Sequence, residues 1–151
     1  MLYRYYQAEC TRHGLALPAI VREASKRSGF YVVLADEQPT GSQREALLMT
    51  GMSTSRDQLP LLFGDDSTVA NIVGSTRIKF QSQQLCGVVG FASDLAAQAI
   101  RARYVAGELS TQLIFHRVAG VELRAGEQFH GVAGPAVVVT EWVPTQVALT
   151  C

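Results

Sequence analysis

Charge is scarce in this chain. Only 17% of its 151 residues are Asp, Glu, Lys or Arg, and 13 basic side chains balance 13 acidic ones. A nucleic-acid binder normally carries a basic excess or stripe to displace counterions from phosphates. Neither is present, so nucleic acid is not an expected partner. The balance also removes the repulsion that keeps copies apart in solution, which leaves self-association open. No apolar run approaches the roughly 20 residues of a helical membrane span. Residues 1–14 lack a signal-peptide core. The chain therefore reads as cytoplasmic, or as periplasmic if it is a fragment separated from its leader. Cys10, Cys86 and Cys151 are far apart and match no zinc or redox spacing, and whether any two form a disulfide stays open. No serine sits in a Gly-flanked nucleophile elbow. Gly87-Val88-Val89-Gly90 lacks the Lys-Ser/Thr ending of a phosphate loop. No catalytic, cofactor or metal motif stands out.

What is present is a hydrophobic fraction of 48%, ordinary for a globular protein. Tyr3 and Tyr5 flank Arg4 in the manner of a short edge strand or a helical turn. Pro18 at a first helical turn and Gly29 as a stop predict a helix over 17–28, with Ile20, Val21 and Ala24 on one face. Phe30 to Ala35 is a strand, and 45–50 is a second strand. Thr54 and Asp57 make a capping box before the Leu-rich 59–63, with Pro60 awkward inside any helix there. Val69–Val73 and Arg77–Phe80, parted by Gly74-Ser75, read as a hairpin. Leu85–Phe91 is a strand. Ser93 caps a helix over Asp94–Val105, in which Leu95, Ala99, Ala102 and Val105 share a face, and Gly107 ends it. Three strands follow, over 111–118, 122–129 and 136–143, with Gly120, Gly126, Gly131, Gly134 and Pro135 between them.

Over residues 15–80 this order resembles the short N-terminal domain of bacterial secretins and TonB-dependent signalling transducers. Leu17, Ile20 and Val21, Ser28-Gly29-Phe30, Gly41, Thr50-Gly51, the Leu59 to Gly64 turn, Gly74 and Ile78 carry the likeness. The resemblance implies a module that performs no chemistry and docks to proteins through sheet edges and helix faces, in the periplasm. Phe30–Ala35 and Arg77–Phe80 are the candidate docking edges.

Residues 85–143 resemble, more loosely, a hot-dog acyl-CoA thioesterase. Asp94 stands near the start of a central helix, and Thr111, Leu113, Phe115 and Gly126 follow the spacing after it. That resemblance implies thioester hydrolysis with Asp94 as base or nucleophile and backbone N–H groups of 90–94 holding the oxyanion.

Other chemistry-bearing residues are scattered. His13, His116 and His130 match no metal spacing; His116 and His130 lie on neighbouring expected strands, but two histidines make no metal site unless Glu127 or Glu141 joins them, and they read as surface or hydrogen-bonded strand residues. Asp65-Asp66 marks a solvated turn. Cys86 reads as a small buried hydrophobe rather than a nucleophile. Trp142, the single tryptophan, is either a core cap or an interface anchor.

The expected fold is α+β: small mixed units of helix and antiparallel strand, with one helix packed on antiparallel strands in the second half. The expected division is 1–82 and 83–151, with one continuous domain as the alternative. The expected function is a non-enzymatic interaction module of a bacterial envelope secretion or signalling machine. A hot-dog thioesterase and a virion or assembly component are the alternatives. The expected partners are proteins, a second copy included. The candidate interface residues are Phe30, Val32, Leu34, Ile78, Phe80 and Trp142.

Overall fold

The longest apolar stretches of this chain settle as strands. The computed structural model describes residues 3–5, 9–13, 29–41, 44–54, 56–64, 71–81 and 83–151, with backbone alone for 3–5 and 9–13. In chain order the strands are β1 (Tyr3–Tyr5), β2 (Glu9–His13), β3 (Phe30–Ala35), β4 (Glu45–Leu47), β5 (Gln58–Phe63), β6 (Ile72–Gln81), β7 (Gln84–Phe91), β8 (Ser110–Leu123), β9 (Gln128–Phe129), β10 (Val132–Ala133) and β11 (Ala136–Thr150). The helix α1 (Leu95–Val105) joins β7 to β8. Strand makes up 60% of the structure and helix 13%. The expected α+β fold of small helix-bearing units is thereby overturned: this is a mostly β protein. The helix expected over 17–28 and the Asp65-Asp66 turn lie outside the described residues.

β8 and β11 form the spine. They run antiparallel from Ala136 opposite Leu123 to Thr150 opposite Ser110. On the outer side of β8 lie β1, opposite 119–121, and β2, opposite 112–116. On the outer side of β11 lie β4 and then β5, both parallel to it. The sheet continues through the antiparallel strands β6, β7 and β3. Cα atoms of β3 come within 8 Å of β2 and β8, so the sheet curls back toward its own far end. The 82/83 division falls in the turn between β6 and β7, which are paired from Gly74–Phe91 to Gln81–Gln84.

Side chains alternate across a strand, so a strand covered on both sides must be apolar on both. The ribbon of β4, β11 and β8 meets that demand. Leu47 and Val139 face the main core, whereas Ala46, Leu48, Val121, Leu123 and Val138 fill a second cluster closed by Val132, Ala136 and Phe129. Trp142, on β11, is fully buried in the main core. Its indole N–H donates to the Leu48 carbonyl at 2.8 Å, and its ring meets Phe115 edge-on at 5.7 Å between centroids. Arg117 donates to Glu45 across the same ribbon at 3.0 Å.

Three expectations drawn from punctuation residues fail. The Leu-rich 59–63 is strand β5, not a helix, and Leu59, Leu61 and Leu62 are all buried. Pro60 sits opposite Ser75, one residue before the ladder with β11 begins at Leu61, where a missing N–H does least harm. The hairpin expected around Gly74 is a single strand, β6. Gly74 is there because a Cβ would fall on the backbone carbonyl of Gly90 in the neighbouring strand. Gly120, expected to end a strand, is paired with Arg4 on one side and Val139 on the other. Gly74 and Gly120 sit inside paired strands, not in turns.

Candidate functional site

α1 is the one helical element of more than a single turn among the described residues, and its local signals work as the sequence suggests. Its cap is Asp94 rather than Ser93: the Asp94 carboxylate accepts from the Ala97 N–H at 3.2 Å. Gly107, at φ 81°, supplies the left-handed residue that stops it.

The face that α1 buries is not the one the 3.6-residue pattern favours. Ala97 and Tyr104 are buried, with Ile100 partly covered. Tyr104 packs in an aromatic trio, 5.4 Å from the Phe30 ring and 5.8 Å from Phe91, while Phe30 and Phe91 lie 6.1 Å apart. Burial pushes the Tyr104 phenol up to about 12. The arginines of the helix also turn toward the body. Arg101 lies 5.0 Å over the Phe30 ring and Arg103 lies 5.4 Å over Phe63. Arg103 also reaches Glu108 at 3.9 Å and donates to the Cys151 sulfur at 3.4 Å.

Leu95, Ala99, Ala102 and Val105 therefore face solvent. Leu95 is 91% exposed and Val105 51% exposed. The other exposed helix residues are Ala96 and Gln98, also uncharged, with the half-buried Arg101 and Arg103 along the edges. A surface helix ordinarily places charge outside and carbon inside; here the most exposed residues are uncharged as well. The aromatic trio explains the choice, because seating the Tyr104 ring buries far more apolar area than two alanines can.

The sequence-derived candidates fare unevenly. Phe30, Val32, Leu34 and Trp142 are buried, and Ile78 is partly buried against the core. Phe80 is 47% exposed at the end of β6. β3 is the last strand in the sheet order, so its backbone has one ladder partner, β7, among the described strands. Asp94 is exposed, with its carboxylate engaged in capping. Cys86 is buried and hydrogen-bonded with the Tyr31 hydroxyl, which raises the Tyr31 pKa. Cys86 and Cys151 are both free thiols. His116 lies on β8, and His130 lies in the β9–β10 turn with its ring 4.4 Å from Phe129. No group of three or more His, Cys, Asp or Glu able to hold a metal ion occurs among the described residues. Nor is any helix among them long and apolar enough to cross a membrane.

The chain matches no protein-family model, no curated protein and no solved structure. What α1 presents must be read from its own geometry. The signal was in the sequence, since the stripe over 95–105 is plain there. Only its direction was hidden.

Proposed function

We propose that this protein is a non-enzymatic interaction module and that the outer face of α1 is its docking surface. One observation carries the proposal: the helix holds its arginines against the body and gives solvent an uncharged stripe from Leu95 to Val105. Exposed apolar side chains gain free energy when a partner removes them from water, roughly 25 cal/mol per Å2. A monomer has no use for a contiguous stripe of them. The proposal rests on this face rather than on the likeness to the secretin and transducer module, whose second helix and final hairpin are here strands β5 and β6. The thioesterase alternative gains nothing from an exposed Asp94 that caps its own helix.

The test is capture of binding proteins from extracts of the cells that make the chain. The immobilised protein is compared with a Leu95→Asp, Val105→Asp variant. Proteins should be held by the first and lost by the second. Capture that is identical for both would overturn the reading, because it would place binding elsewhere on the molecule.

A further inference from the structure

We infer that the occupant of this face is a second copy of the chain, its α1 laid antiparallel against the first; this inference rests on the docking reading above. The stripe is complementary to itself. Leu95, Ala99, Ala102 and Val105 are spaced four, three and three residues apart, so the order from either end is large, small, small, large. A two-fold axis through the middle of the helix, at Ile100, sets Leu95 level with Val105 of the partner and brings Ala99 within one residue of the level of the partner's Ala102, about 1.5 Å along the axis. Small residues at the crossing let the two backbones approach, while the large ones close both ends. An isologous contact of this kind is the commonest form of self-association.

Charge agrees with the antiparallel direction. Asp94, exposed at the start of one helix, comes beside the end of the other, where the Arg103 side chain, 40% exposed, edges the stripe. A parallel pair would instead place like beside like. The stripe itself brings no charge to repel its twin, and the chain as a whole has a formal net charge of zero.

Size sets the strength. Ten residues separate Leu95 from Val105, about 15 Å of helix at 1.5 Å per residue. A contact of that length falls well short of the ~800 Å2 per partner of a standard stable interface. The dimer should therefore be weak, with half-association on the order of 100 µM.

The experiment is sedimentation velocity from about 10 µM to about 1 mM on four proteins: the wild type, Leu95→Lys, Val105→Glu and the double variant. Both positions are exposed, so all four should fold alike by circular dichroism. The wild type should shift from monomer to dimer across the range. Each single variant should weaken the dimer at least about tenfold, by setting a charge against an apolar side chain. The double variant should recover it, because the introduced ammonium of each copy then meets the introduced carboxylate of the other, at both ends of the contact. Within one helix those two side chains are too far apart to pair. A wild type that stays monomeric, or a double variant no better than the singles, overturns the antiparallel dimer. If the monomeric wild type still captures other proteins through Leu95 and Val105, the docking reading stands without it. If capture ignores those residues too, both readings fall.

Discussion

The ribbon of β4, β11 and β8 and the helix α1 are both rich in apolar side chains, yet they use them in opposite ways. The ribbon is covered on both faces. Val138 and Val139 point to different clusters and both are fully buried. The helix is covered on one face only, and the better stripe is left outside. The ribbon's residues explain why the protein holds together. The helix's outer residues explain nothing about folding, and that is what marks them for another role.

The difference can be broken most sharply from the ribbon side. Trp142→Ala should cost about 3–5 kcal/mol of unfolding free energy, as large aromatic truncations do. Part of that loss comes from leaving the Leu48 carbonyl without its indole donor. Urea unfolding measures it, and a loss below about 1 kcal/mol would mean that Trp142 is not packed in the main core as described.

A smaller effect comes from the inner side of the helix, through Tyr104. Its phenol is raised by burial from 10.0 to about 12, so the fold favours the neutral form. The stability it contributes is intact below pH 10 and drains away as pH rises from 10 to about 12. A difference titration of tyrosinate absorbance against Tyr104→Phe should show one late-ionising tyrosine. An ordinary midpoint would mean that the ring is solvated.

The smallest effect is a gain. Thr76 is fully buried opposite Leu59 and Val89, and its hydroxyl has no hydrogen-bond partner among the described residues. Thr76→Val removes an unsatisfied polar group at nearly constant volume and should stabilise by up to about 1 kcal/mol. A clear loss in the melting temperature would show that the hydroxyl has a partner after all.

Much of the local structure was legible. Phe30–Ala35 and Leu85–Phe91 are strands as their β-branched and aromatic residues indicate, and the helix over 94–105 begins and ends within a residue of expectation. The failures came where one residue type serves two purposes. Gly74 and Gly120 could mark turns or strand interiors, and only the neighbouring strand decides. The continuous apolar run of β5 fits a helix or a strand covered on both sides equally well. The candidate site failed in a related way. The spacing in 95–105 defines two faces, and the winner was chosen by Phe30 and Phe91, the first of them far away in the chain. Periodicity finds a stripe but cannot say what lies opposite it.

The most direct test of the central claim compares folding with association in the Leu95→Asp, Val105→Asp variant, using urea unfolding on dilute protein. If the stripe belongs to a docking surface, unfolding free energy should stay within about 0.5 kcal/mol of the wild type, as for ordinary exposed sites. A loss of about 2 kcal/mol or more would contradict the account, because it would place the stripe inside the fold and leave nothing for a partner to cover.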